Sequence, residues 1–132
     1  MNDSVSVNDA LLLVGRLLLV VLFVASGIEK LFHFKAGLAE VNAKRLPLPA
    51  LALSATIALQ LIAGACIAAG CYVEWAAIAL AGFTLATAVV FYPYWSAPLA
   101  EKAALKNGFL EHVSIIGGCL LLIGAGPGKL VL

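Results

Sequence analysis

Residues 10–28 read ALLLVGRLLLVVLFVASGI, an apolar run in which Arg16 is the only charged residue. A helix needs about 20 such residues to cross the hydrocarbon of a bilayer. The apolar residues are continuous rather than alternating, which favours a helix over a strand of a membrane barrel. We therefore predict a transmembrane helix over residues 10–33. The preceding MNDSVSVND is acidic rather than basic, so we expect this run to be retained and not cleaved as a signal peptide.

Three further apolar runs predict helices over residues 50–73, 75–92 and 109–126. The chain has 64% hydrophobic and only 11% charged residues, which is too little polar surface to coat a soluble protein of 132 residues. We predict an all-α, membrane-embedded four-transmembrane-helix bundle, formed as a single membrane domain over residues 1–132 and in contact with the lipid bilayer. The net charge of +1 and the lack of a basic tract exclude a nucleic-acid partner.

The basic residues are distributed unevenly between the predicted loops. Four lie in the first loop and two in the third, whereas the second loop has none and the C-terminal tail has only Lys129: Lys30, Lys35, Lys44 and Arg45, then Lys102 and Lys106. Cytoplasmic loops of membrane proteins carry an excess of Lys and Arg. The pattern predicts a multi-pass protein of the inner (plasma) membrane with loops one and three in the cytoplasm and both termini on the non-cytoplasmic side.

A few polar residues interrupt the apolar runs, and each of them needs a partner or a task, because polar groups in hydrocarbon are costly. Arg16 is expected either to reach the membrane surface or to meet a partner such as Glu74, which is a structural role. We also assign structural roles to Ser26 and to Gln60, whose amide is expected to form an interhelical hydrogen bond worth about 0.6 kcal/mol. In the alternative, Gln60 contacts a ligand.

The inner ends of three predicted helices carry the remaining ionisable groups. Lys30 lies near the end of the first helix, Tyr92 ends the third, and Glu111 with His112 begins the fourth. We predict that these four side chains meet in a ligand-binding pocket at the cytoplasmic membrane face, where Lys30 and Glu111 have opposite charges and could pair. In the alternative, the polar end of the first helix is simply hydrated. No spacing of Cys and His indicates a metal site.

The first helix contains the pattern R-x6-F-x2-S-G-x2-K, formed by Arg16, Phe23, Ser26, Gly27 and Lys30. With EHVSIIGGCLLLIGAGPG at residues 111–128 and FYPYWSAP at residues 91–98, the chain resembles the DoxX family of small four-helix membrane proteins. Tyr92 stands where many members have a histidine. The family is named after a subunit of a thiosulfate:quinone oxidoreductase, so the resemblance implies a small subunit near the quinone pool, with quinone as the possible cofactor.

Two functions remain open. In the first, the chain is a quinone-linked or redox-associated subunit of a membrane complex, with catalysis on a partner redox subunit. In the second, it is a non-enzymatic structural or assembly subunit, in which Arg16, Lys30 and Glu111 hold the bundle together. The sequence contains no known catalytic motif, so it neither assigns catalytic residues nor decides whether the chain is an enzyme. Whether the chain forms a homo-oligomer also stays open.

Overall fold

The structure, a computed structural model, describes residues 6–128 and consists mainly of four long apolar helices. In chain order the helices are α1 (Val7–Phe32), α2 (Phe34–Ala43), α3 (Pro49–Ala69), α4 (Val73–Phe91) and α5 (Leu99–Ala125), with a 3₁₀ turn at Tyr94–Ser96. The helices α1, α3, α4 and α5 are each long and apolar enough to cross a membrane. The predicted all-α fold with four spanning helices is therefore confirmed. The predicted position of the two termini concerns residues 1–5 and 129–132, which lie outside the described residues.

Local signals in the sequence fix where the helices begin and end. Ser6 and Asp9 form a reciprocal capping box at the start of α1, in which each side chain accepts a hydrogen bond from the backbone N–H of the other. Pro49 begins α3, and Gly70, with a φ of 85°, ends it. The turn between α3 and α4 therefore comes before Val73, earlier than the hydropathy pattern predicted.

The first loop differs from the expected polar connection because it contains the helix α2. Phe34, Leu38 and Val41 follow each other at spacings of three and four residues, so they share one face of α2. That face packs against α3 at Leu53 and Ile57. The helix α2 has only 10 residues, which is too short to span a bilayer, so a search for membrane spans overlooks it. Its amphipathic spacing nevertheless favours a helix.

The last helix begins at Leu99 rather than near Phe109. Residues 99–108 read LAEKAALKNG, in which Ala, Leu, Glu and Lys are strong helix formers. Pro98 precedes the first turn, where a proline is compatible with the start of a helix. Hydropathy marks only the apolar part of α5, and the polar first turns extend the same helix beyond it.

The four spanning helices pack side by side in the order α1, α3, α4, α5, and the contact between α1 and α5 is the least extensive of these. We call the end with the α3–α4 connection the turn end and the opposite end the α2 end. Close approach of α1 and α3 depends on small residues, since a Cβ at Gly64 would lie 2.8 Å from Val24 and one at Gly27 would lie 2.9 Å from Leu61. The side chains at the centre of the bundle are completely buried: Ile67, Ala77, Leu80 and Cys119.

Arg16 joins three segments near the turn end. Its side chain is only 2% exposed, Nη1 donates to the carbonyl of Pro127 at 2.6 Å, and Nη2 donates to the carbonyl of Ala68 at 3.1 Å. These carbonyls belong to the end of α3 and the segment after α5. Glu74, the partner suggested by the sequence, is instead exposed. Arg16 thus ties α1 to backbone carbonyls of two other segments.

Candidate functional site

A cavity of about 310 Å³ lies inside the bundle toward the α2 end and is lined by all five helices. Volumes of this order are typical of small-molecule sites, which combine apolar walls with a few polar groups. The polar lining residues come from every helix: Ser26, Lys30, Glu40, Thr56, Gln60, Thr84, Thr87, Tyr92 and His112. Most of the remaining wall is aliphatic or aromatic, including Phe23, Leu53, Phe83 and Phe91.

On one side of the cavity, Lys30 joins α1 to α3 through hydrogen bonds. Its Nζ donates to Ser26 Oγ, one turn earlier in α1, at 2.5 Å, and to Gln60 Oε1 at 3.3 Å. Glu40 and Glu29 are the carboxylates whose charges act on this ammonium. Because an ammonium has three N–H groups, one of them remains for an acceptor placed in the cavity.

The polar cluster lies deeper than the sequence suggested. Gln60 is near the middle of α3, about 15 Å from either end of that helix at a rise of ~1.5 Å per residue. Lys30 reaches it because side chains on a helix lean toward the N-terminus, which here is toward the turn end. The pocket was expected at the membrane face. In the structure it is a cavity that extends to Gln60 in the middle of α3, with α2 forming part of its wall.

On the other side of the cavity, Tyr92 and His112 form an aromatic pair with ring centroids 4.7 Å apart. His112 Nδ1 lies 2.7 Å from the carbonyl oxygen of Gly108. Since a carbonyl can only accept, Nδ1 donates, and the acceptor of the neutral form of the ring is then Nε2. Gly108 is itself required by the pair, because a Cβ there would overlap with the Tyr92 ring.

The structure thus brings together three of the four residues proposed to bind a ligand, Lys30, Tyr92 and His112. Glu111 is exposed on α5 and does not line the cavity. Within residues 6–128, Lys30 donates to Ser26 and Gln60, and no ion pair links it to Glu111. Adjacent residues on a helix point about 100° apart, so Glu111 cannot face inward together with His112.

Sequence reasoning missed the three threonines of the lining. Their hydroxyls donate to carbonyls of their own helix, Thr56 to Ala52 at 2.9 Å, Thr84 to Leu80 at 2.6 Å and Thr87 to Phe83 at 2.9 Å. A hydroxyl that donates in this way still has oxygen lone pairs to accept with. After Glu74, Thr84 and Thr87 are the polar residues of α4, and their spacing of three indicates a polar face on this helix.

Ser26 and Gln60, to which the sequence assigned structural roles, also line the cavity. Gln60 is 4% exposed and bridges to Lys30, so its interhelical hydrogen bond is part of the site itself. Among residues 6–128, no three His, Cys, Asp or Glu side chains are grouped so that they could hold a metal ion.

Comparison with known proteins places this architecture in a family. The sequence profile of the DoxX family matches residues 11–93, from α1 to the end of α4. The glycine-rich segment at residues 111–128, part of the resemblance noted in the sequence, lies outside that match. No solved structure matches the chain significantly.

Individual relatives extend the similarity through α5. Inner membrane protein YphA of Escherichia coli K12 is 28% identical over 98% of this chain and 93% of its own length. Inner membrane protein YqjF of the same organism is 31% identical over 92% of this chain and 88% of its own length. The yeast ER-derived vesicles protein ERV29 is 28% identical over 91% of this chain but only 32% of its own length. Since the profile covers more than half of the chain and both bacterial relatives match almost all of it, this multi-pass inner membrane protein belongs to the DoxX family.

Proposed function

We propose that the chain is a quinone-binding membrane subunit of a redox complex and that the head group binds in the cavity between Lys30 and His112. The observation that carries this proposal is the convergence of polar groups from different helices on one apolar-walled cavity inside the bundle. A quinone is lipid-soluble and has carbonyl oxygens that accept hydrogen bonds. Its binding site must therefore combine an apolar wall with a small number of donors.

The residues present fit both forms of such a ligand. The remaining N–H of Lys30 can donate to a quinone carbonyl, and the hydroxyl of Tyr92 can donate to a second one. The reduced form carries hydroxyl groups, which Nε2 of His112 and the threonine oxygens can accept. When bound, the quinone would supply two-electron redox chemistry, while this chain would hold and orient it and exclude water.

Proton handling by this site would rest on His112. Its Nδ1–H is committed to the Gly108 carbonyl, so Nε2 is the ring nitrogen that remains for a ligand. A histidine held in this way can accept a proton from a bound hydroxyl group and release it later. The electron acceptor or donor would belong to a partner subunit, in keeping with the lack of a catalytic motif in this sequence.

The test is equilibrium binding of 2,3-dimethoxy-5-methyl-1,4-benzoquinone to the full-length protein in mild detergent. We expect saturable binding that Lys30→Met weakens at least about tenfold, because the substitution removes the charged donor. Lys35→Met is the matched control, since Lys35 is exposed on α2 and does not line the cavity. Absence of saturable binding to the wild-type protein, or an equal loss in both variants, would contradict the proposal.

A second function, that of an assembly subunit, is supported by Glu111. This carboxylate is exposed on a helix apolar enough to span the membrane. A charge in that position calls for a polar partner, which a neighbouring subunit could supply. If so, Glu111→Gln reduces the size of the complex isolated in mild detergent, whereas Glu101→Gln, in the first turn of the same helix, does not. An unchanged complex in both variants would argue against this role.

We also propose that the α2 end faces the cytoplasm and the turn end faces outward. The exposed basic side chains Lys44, Lys102 and Lys106 lie in segments at the α2 end, whereas the described residues of the α3–α4 turn include no Lys or Arg. Cys71 is exposed in that turn and provides a native probe. A membrane-impermeant maleimide should label Cys71 in spheroplasts without further permeabilisation, and Cys71→Ser should lose this labelling. Labelling only after the inner membrane is opened would reverse the orientation.

A further inference from the structure

A second apolar cavity, of about 500 Å³, lies between α1 and α5 toward the turn end. Its walls are formed by leucines and small residues of these two helices, among them Leu11, Gly15, Leu18, Leu19 and Gly118. Arg16, which is held by two backbone carbonyls, also borders it. We call this space the α1–α5 groove. It lies at the seam where the bundle is least closely packed.

The groove continues the line of the polar cavity along both helices. On α1, Leu18 of the groove is one turn from Leu22 of the cavity, and on α5, Gly118 of the groove is one turn from Ile115 of the cavity. Residues separated by three or four positions share a face of a helix. The two spaces therefore follow one seam, which is polar toward the α2 end and apolar toward the turn end.

We propose that the ligand of the cavity is a long-chain amphiphile whose hydrocarbon tail leaves the bundle through the α1–α5 groove. This inference rests on the proposed function, because it places the head group in the polar cavity. A head group bound there is surrounded by helices, so an attached tail needs an apolar exit. The groove follows α1 from Leu11 to Leu19, about 12 Å at ~1.5 Å per residue.

Glycine helps to keep this exit open. A Cβ built at Gly15 meets no atom within 4 Å, so the space beside it is empty rather than filled by a neighbouring helix. A hydrocarbon tail has no net hydrophobic reason to leave lipid for a protein groove, since both are apolar. The groove therefore acts as a passage, and its closure should exclude tailed ligands by steric overlap.

The experiment compares two probes that share a head group, decylubiquinone and the tailless 2,3-dimethoxy-5-methyl-1,4-benzoquinone. Gly15→Phe introduces a large side chain beside the groove at a position where a Cβ meets no atom within 4 Å, and Gly82→Phe is its matched control. Gly82 is an exposed glycine of α4 that also has no neighbour within 4 Å and borders neither cavity. We expect Gly15→Phe to weaken binding of decylubiquinone at least about tenfold while binding of the tailless probe stays within about twofold. Gly82→Phe should change neither.

The outcomes separate this inference from the proposed function. If neither probe binds to the wild-type protein, the proposed function fails and the inference fails with it. If both probes bind and Gly15→Phe affects them equally or not at all, the quinone site stands and the groove is not the exit for the tail. If Gly15→Phe instead changes the oligomeric state and leaves both affinities unchanged, the groove is an interface between copies of the chain, and the inference is overturned.

Discussion

Two cations on α1 point into the bundle, and their surroundings differ. Arg16, near the turn end, is almost fully buried and donates to backbone carbonyls of two other segments. Lys30, toward the α2 end, is only half-buried, donates to two side chains and borders a cavity. Backbone carbonyls at helix ends are fixed acceptors that need a partner. The comparison indicates that Arg16 serves the fold, and it supports the proposal that Lys30 binds a ligand.

The largest effect is expected at Arg16. Arg16→Met removes a charged donor from the Pro127 and Ala68 carbonyls, and we expect the free energy of unfolding to fall by about 2 kcal/mol. Denaturation by SDS in mixed micelles measures this change, with Lys102→Met, an exposed site in α5, as the control. Equal stability of the Arg16 variant and the wild-type protein would contradict the structural role of Arg16.

A smaller effect on stability is expected at Gly108, together with an effect on binding. Gly108→Ala would force the Tyr92 ring away and disturb its pairing with His112, so we expect a loss of about 1 kcal/mol in stability. Binding of the tailless quinone should also weaken several-fold. The same substitution at Gly82, where a Cβ meets nothing within 4 Å, should leave stability equal or slightly higher. Parallel thermal unfolding and binding measurements test both parts, and an intact affinity in Gly108→Ala would remove Tyr92 from the site.

The spanning helices could be predicted because hydropathy is a local property that each segment displays by itself. Residues 10–28 identify a membrane helix without reference to the rest of the chain. The same criterion could not find α2, whose ten residues are too short to span, or the polar start of α5 before Phe109. Amphipathic spacing and helix propensity predict these two segments to be helical, whereas the length of the apolar run does not.

The site could be predicted only in part, because it depends on which way each side chain faces. The sequence places Glu111 and His112 at the same depth. Glu111 is a candidate ligand-binding residue because its charge is opposite to that of Lys30, and His112 is one because of its imidazole ring. Packing of α5 against α4 then turns His112 toward Tyr92 and leaves Glu111 exposed. The sequence also could not predict how deeply the Lys30 ammonium lies in the bundle, because this depth depends on its hydrogen bond to Gln60 of α3.

The smallest change in stability is expected at Lys30, and this prediction decides the comparison. Lys30→Met removes a hydrogen bond to Ser26 within α1 and one to Gln60 of α3, and a bond between membrane helices is worth about 0.6 kcal/mol. The substitution also removes the cost of holding an ammonium among apolar groups. These contributions have opposite signs, so we expect the free energy of unfolding to change by less than about 1 kcal/mol. SDS denaturation beside Arg16→Met measures the contrast. If Lys30→Met lowers the free energy of unfolding as much as Arg16→Met does, Lys30 is a structural residue. The proposal that the cavity binds a ligand would then be weakened. A stable variant that no longer binds quinone would instead show that Lys30 contributes to ligand binding rather than to stability.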